Sequence, residues 1–142
     1  MRLQRVVIDT NVLVSALRSR RGASLRLISL LGDPRWQPVV SLALVLEYEE
    51  VTKREAKRLG LAEWAVENIL DMFCRFGSQQ AIRFRLRPAV GDPDDEFLLE
   101  LAAASQADFL VTYNIDDFRG SETYGVLVVT PGEFLRTIGA WP

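Results

Sequence analysis

Short apolar runs alternate along the chain with longer segments whose apolar residues recur every three or four positions. The runs, each of which predicts a short buried strand, are Val6–Ile8, Pro38–Val40, Phe109–Val111 and Val126–Val129. The segments with helical spacing cover residues 12–17, 23–32, 42–58, 62–76 and 93–105, and a last helix starts at Pro131. This alternation predicts an α/β fold, a three-layer α/β/α sandwich with a mostly parallel sheet.

The residues that follow the predicted strands are polar and acidic. Parallel sheets place their binding sites at the carboxyl ends of the strands. The residues at those ends are Asp9–Asn11, Ser41 and Thr112–Asp117. They include no glycine-rich phosphate loop, which disfavours dinucleotide and P-loop binding.

Composition narrows the chemistry further. The 142 residues carry 19 acids and 17 bases, for a net charge of −2, and include no histidine and one cysteine. These numbers exclude Ser-His-Asp and Cys-His catalysis, a His/Cys zinc site and an internal disulfide. The length fits one domain over residues 1–142. Because no apolar run approaches the ~20 residues of a membrane span and the start is no secretory signal, we expect a cytoplasmic protein without a membrane partner.

Four segments place carboxylates near the same sheet edge. Asp9 ends the first strand, Glu47 lies six residues after Ser41, Asp95 opens the helix before the third strand, and Asp117 follows that strand. Two carboxylates about 4 Å apart repel by about 4 kcal/mol at an effective dielectric of 20, so such a site binds protons or a hard cation. Oxygen ligands select Mg²⁺ or Mn²⁺ over zinc, and such an ion serves phosphoryl chemistry.

Each acid also has a purely structural interpretation. Asp9 can cap the next helix, Glu47 can be a solvated helix residue, and Asp92–Asp95 can be a helix start. Asp116 and Asp117 can belong to an ordinary turn. The functional interpretation depends on their joint placement at predicted strand ends.

These segments resemble the PIN-domain family of metal-dependent ribonucleases, and within it the VapC-type toxins. The matching pieces, which span nearly the whole chain, are residues 7–17, Ser41 with Glu47, residues 92–102, residues 108–118 and residues 129–135. The resemblance implies a PIN-like fold and metal-dependent endonuclease activity on RNA.

The resemblance also implies roles for individual residues. The acidic quartet is Asp9, Glu47, Asp95 and Asp117. Asp9 and Asp95 are expected to hold Mg²⁺ or Mn²⁺ directly, while Glu47 and Asp117 complete the metal's shell or orient water. Three polar residues are expected to tune the site through hydrogen bonds, namely Asn11, Thr112 and Asn114. Many relatives carry aspartate where Asn114 stands, so Asn114, Asp116 and Asp117 are alternatives for the last position.

The expected partners are an RNA substrate, a small cognate antitoxin and a second copy of the chain in a homodimer. An acidic pocket repels phosphates, so RNA binding needs a basic rim. The arginines expected to supply it are Arg18, Arg20 and Arg21. Arg83, Arg85 and Arg87 alternate along an extended segment at 81–87 and either contact phosphate or form a solvated edge.

Two alternatives and two packing predictions complete the sequence interpretation. A PIN-like scaffold or RNA-binding protein without nuclease activity is the main rival. A phosphatase or phosphoacceptor domain is disfavoured because Asn11 stands where a second aspartate is needed. Such domains also need a lysine near the end of a later strand, and the only lysines, Lys53 and Lys57, lie inside a predicted helix. Trp36, Trp64 and Trp141 are predicted to lie in the core, with contacts to a dimer or another partner as the alternative, and Cys74 is predicted to lie in the core.

Overall fold

A parallel sheet covered by helices makes up the described part of the chain. The computed structural model describes residues 2–81, 93–118 and 120–142, and no side chain from 93 to 96. The strands in these ranges are β1 (Gln4–Ile8), β2 (Trp36–Val40), β3 (Ser78–Gln79), β4 (Phe109–Val111) and β5 (Leu127–Val129). The helices are α1 (Thr10–Arg18), α2 (Ala23–Ser29), α3 (Leu42–Leu59), α4 (Glu63–Phe76), α5 (Pro93–Ser105) and α6 (Pro131–Thr137). Two 3₁₀ turns cover Ile115–Phe118 and Ser121–Tyr124.

The sheet has the strand order β3-β2-β1-β4-β5, and every pairing among these strands is parallel. β1 is the central strand, and its last three residues, Val6, Val7 and Ile8, are completely buried. A strand that is apolar on both faces must be covered on both sides, which explains why the run does not alternate with polar residues. The predicted three-layer α/β/α sandwich is confirmed.

The strand order changes direction at β1. β2 and β3 lie on one side of this strand, and β4 and β5 lie on the other. Ile8 of β1 is in register with Val111 of β4, so Asp9 and Thr112 leave the sheet side by side. The backbone N–H of Asp9 donates to the carbonyl of Val111 at 2.9 Å. In sheets of this kind, ligands bind in the crevice outside such a switch point.

Helix α3 packs beside this crevice. It begins at a capping residue, since the Ser41 hydroxyl accepts from the Leu44 N–H at 3.1 Å, and it ends at Gly60, whose φ of 73° is left-handed. Its buried residues recur every fourth position, at Leu44, Tyr48, Thr52 and Ala56. The Tyr48 hydroxyl donates to the carbonyl of Ile8, which fixes α3 to the end of β1.

Several local features differ from the sequence predictions. The two-residue strand β3 and the 3₁₀ turns are too short to produce a periodic signal, and they were not predicted. The prediction of core positions is confirmed for Trp36, which is 2% exposed, and is wrong for Trp64, which is 67% exposed. It is also wrong for Cys74, which is exposed.

Helical geometry explains both errors in α4. Its buried residues, Val66, Leu70 and Phe73, form one stripe at i, i+4 and i+7. At 3.6 residues per turn, Trp64 and Cys74 lie off this stripe. The predicted extended segment at 81–87, with Arg83, Arg85 and Arg87, lies outside the described residues apart from Ala81. No helix in the described ranges is long and apolar enough to cross a membrane.

Candidate active site

Among the described residues, two side chains donate hydrogen bonds to the carboxylate of Asp9 at the switch point between β1 and β4. Its Oδ2 atom accepts from the Thr112 hydroxyl at 2.8 Å and from the Asn11 amide at 3.3 Å. Asp9 occupies the N-cap position of α1, but its side chain makes no capping hydrogen bond. The structural interpretation of Asp9 as a helix cap is therefore not supported.

The Thr112 hydroxyl connects the residues of this network. It donates to Asp9, accepts from the Asn11 amide at 3.2 Å, and accepts from the Asn114 backbone N–H at 3.0 Å. A hydroxyl offers one donor and two acceptor positions, so its hydrogen-bonding capacity is filled. Thr112 is also completely buried, which fixes the position of the carboxylate that it contacts.

A second carboxylate approaches the same edge from α3. The Thr10 hydroxyl donates to Oε2 of Glu47, so the residue after Asp9 orients the side chain of Glu47. The buried side chain of Tyr48 is influenced by both of these carboxylates. Its pKa lies well above the usual value, first because of burial and then because of the negative charges of Asp9 and Glu47. The phenol therefore stays protonated and continues to donate to Ile8.

An open cleft of about 280 Å³ lies between these side chains. Polar residues line one part of it, and apolar residues from three helices line the rest. The lining residues are Asp9, Thr10, Asn11, Val14, Glu47, Val51 and Leu98. The cleft thus joins Asp9 and Glu47, which the sequence placed in one site, within a single concave surface.

The other two members of the predicted quartet are placed differently. Asp95 lies in the first turn of α5, three residues before Leu98, which lines the cleft. Its side chain is outside the described part of the structure. Asp117 lies in the 3₁₀ turn after β4 and is exposed, as is Asn114, and neither lines the cleft. Only the backbone of Asn114 joins the Asp9 network.

The donor chemistry of the cleft fits a hard divalent cation. The polar side chains around it offer carboxylate, amide and hydroxyl oxygens, which are the ligands that Mg²⁺ and Mn²⁺ prefer. Within the described ranges, no three acidic, histidine or cysteine side chains form a group that could hold a metal ion. Among the described side chains, Asp9 and Glu47 are the two carboxylates that line the cleft, so a metal ion there would need a further ligand.

Sequence reasoning placed Thr10 at a strand end without giving it a role and did not identify Tyr48, although both left a signal. Thr10 follows Asp9 directly and is the first residue of α1, a position where a hydroxyl can reach a neighbouring element. Tyr48 belongs to the every-fourth-residue stripe of α3 and is the one member of that stripe with a long polar tip. A buried tyrosine usually needs a partner for its hydroxyl, and here that partner is the end of β1.

The predicted basic rim starts at the far end of α1. Nine residues of helix, about 13 Å at 1.5 Å per residue, lead from Asp9 to Arg18. Arg18 Nε lies 2.7 Å from Glu55 Oε1, and Arg58 binds the same oxygen at 2.5 Å. Arg20 and Arg21 are exposed in the segment that follows α1. Phosphate binding by these arginines stays a prediction.

Glu55→Gln is expected to lower stability at neutral pH by an amount that shrinks in acid. Hydrogen bonds from Arg58 and then Arg18 lower the pKa of Glu55 from 4.5 to about 2. A lowered pKa adds stability that is complete above the unfolded-state value and is lost as the pH falls through the folded-state value. Urea denaturation of both proteins at stepped pH measures the difference.

The control for this experiment is Glu50→Gln, which removes an exposed carboxylate from the same helix. We expect little change in the free energy of unfolding for this variant. A Glu55→Gln difference that stayed constant down to about pH 3 would contradict the ion-pair account.

Comparison with known proteins identifies the family. A family model described as the PIN domain matches residues 5–116, which include Asp9, Glu47 and Asp95 and end one residue before Asp117. No curated protein and no solved structure is significantly similar to the chain. Since the match covers most of the chain, the protein belongs to the PIN-domain family, whose members are generally metal-dependent nucleases. The predicted resemblance is confirmed, and the family implies an RNA substrate.

Proposed function

We propose that this protein is a Mg²⁺- or Mn²⁺-dependent endoribonuclease, formed by one PIN-like domain over residues 1–142. The observation that carries the proposal is the Asp9 carboxylate, which Thr112 and Asn11 hold at the switch point of the sheet, in one cleft with Glu47. Two oriented carboxylates in one cleft are costly unless they bind a cation, and their oxygen donors favour a hard one.

The proposed cation would be held by Asp9 and Asp95, with Glu47 and Asp117 completing the site. When bound, such an ion activates water and neutralises charge on the phosphate during hydrolysis. Asp95 is supported by its position one turn before Leu98 in α5. Asp117 has the weakest support of the four because it is exposed in its 3₁₀ turn and lies beyond the matched residues.

The remaining polar residues of the cleft orient these carboxylates. Thr112 and Asn11 fix Asp9, and Thr10 fixes Glu47, so hydrogen bonds within the protein orient both carboxylates. Preorganised groups avoid a cost of reorganisation when charge develops in the reaction. Tyr48 ties the end of β1 to α3 and so holds the two halves of the cleft together.

We further propose that the protein is the toxin of a toxin-antitoxin pair, that it acts in the cytoplasm and that it forms a homodimer. Resemblance to the VapC-type toxins supports this role. The predicted phosphate contacts are Arg18, Arg20 and Arg21. Exposed apolar side chains offer surface for a protein partner, and on α3 and α4 they include Leu42, Leu46 and Trp64.

The experiment that tests the activity is the incubation of purified full-length protein with a labelled single-stranded RNA. We expect internal cleavage with Mg²⁺ or Mn²⁺ that leaves 5′-phosphate and 3′-hydroxyl ends, and no cleavage in excess EDTA. A small protein that co-purifies with the chain and blocks cleavage would support the toxin role. Absence of cleavage together with absence of metal binding in calorimetry would favour a scaffold without nuclease activity.

A further inference from the structure

An exposed tyrosine contacts one of the residues that line the cleft. Tyr113 follows Thr112 directly and is 44% exposed. Its backbone N–H donates to Oδ1 of Asn11 at 3.4 Å, and the amide of the same asparagine donates to Asp9. The backbone of Tyr113 is therefore joined to the central carboxylate of the cleft through a single side chain.

The far end of this side chain is also fixed. The Tyr113 hydroxyl is hydrogen-bonded to the hydroxyl of Ser24 at 2.5 Å, and Ser24 is a completely buried residue of α2. The polar tip of the tyrosine is thus occupied by the protein, while much of the residue stays accessible to solvent. A ring anchored at its backbone and at its hydroxyl loses little conformational entropy when it binds a ligand.

We propose that Tyr113 is a stacking platform for an unpaired base of the RNA next to the scissile phosphate. This proposal rests on the proposed function and adds the residue that would contact a base. An acidic cleft repels phosphates, so RNA close to it needs, besides the basic rim, contacts that do not depend on backbone charge. Stacking on an aromatic ring meets this need, because every base has a π-face and only an unpaired base exposes it fully.

The test is RNA binding, measured by fluorescence anisotropy in EDTA so that cleavage does not interfere. Stacking contributes about 1–3 kcal/mol per base, so Tyr113→Ala is expected to raise the Kd for a short single-stranded RNA by about 5- to 150-fold. The same RNA annealed to its complement should show little change. Tyr113→Phe keeps the ring and is expected to stay within a few-fold of wild type.

A second arm needs no variant protein. A series of RNAs, each with one abasic position, is titrated against the wild-type chain, and removal of the stacked base should weaken binding about as much as Tyr113→Ala does. The same abasic RNA should then bind Tyr113→Ala no more weakly than the intact RNA does. Equal losses on single-stranded and duplex RNA, or a Tyr113→Ala protein that binds single strands within twofold of wild type, would overturn the proposal.

The binding and cleavage assays fail independently. If the wild-type chain binds single strands through Tyr113 but never cleaves them, the result contradicts the proposed nuclease activity and still supports the stacking site. A chain that cleaves with Mg²⁺ but binds equally well without the ring would contradict the stacking site alone.

Discussion

Replacing Thr112 by valine is expected to lower the rate of RNA cleavage by about 10- to 100-fold, because residues that orient a metal ligand typically have effects of that size. Valine fills nearly the same space but cannot hydrogen-bond, so it removes the hydroxyl that holds Asp9 and accepts from Asn11 and the Asn114 backbone. The groups that lose a partner are partly buried or exposed, so each lost hydrogen bond is expected to cost only about 0.5–1.5 kcal/mol of stability. Cleavage rates and urea denaturation measure the two effects.

Two further threonine variants serve as controls. Thr112→Ser keeps the hydroxyl and is expected to retain most of the activity. Thr52→Val removes a buried hydroxyl whose hydrogen bond stays inside α3, so it is expected to affect stability without affecting cleavage. A folded Thr112→Val protein that cleaves RNA at the wild-type rate would contradict the role assigned to the network.

The sequence predicted most of the fold because burial leaves a strong pattern. Val6–Ile8 is apolar at every position, which in a short run indicates a strand covered on both faces, and β1 is that strand. The helical spacing over residues 42–58 predicted α3 to within one residue of its end, and local chemistry at Ser41 and Gly60 sets those ends. Strand β3 has only two residues, and its pairing with β2 depends on distant contacts that no local pattern reveals.

The part of the site that follows from the order of the strands was predictable. Asp9 and Thr112 follow two strands that turn out to be neighbours in register, so their contact follows from the topology. The contact between Thr10 and Glu47 could not be predicted, because it depends on how closely α3 packs on α1. The prediction for Trp64 was wrong for a different reason. Its apolar character alone indicated the core, whereas its position on the helix places it at the surface.

The largest effect is expected from Asp9→Asn. Asparagine has the same shape, and its carbonyl oxygen can still accept from Thr112, so the fold should be preserved. The substitution removes one negative charge from the cleft, which weakens the binding of a divalent cation. Such a cation stabilises the transition state of the reaction by several kcal/mol. We expect a loss of at least about 100-fold in the rate of RNA cleavage.

The matched control is Asp108→Asn. Asp108 also accepts hydrogen bonds, from the backbone of Arg5 and the side chain of Arg2, but it lies just before β4 at the opposite edge of the sheet. Its loss is expected to reduce stability and to leave the rate of cleavage by the folded protein unchanged.

The most direct measurement is therefore the rate of cleavage of one single-stranded RNA by wild-type, Asp9→Asn and Asp108→Asn proteins, with Mg²⁺ titrated in from an EDTA-treated start. The account predicts that cleavage by the wild-type and Asp108→Asn proteins rises with Mg²⁺ to similar rates, while folded Asp9→Asn stays at least about 100-fold slower. Equal cleavage by wild-type and Asp9→Asn, or full wild-type activity in excess EDTA, would contradict it.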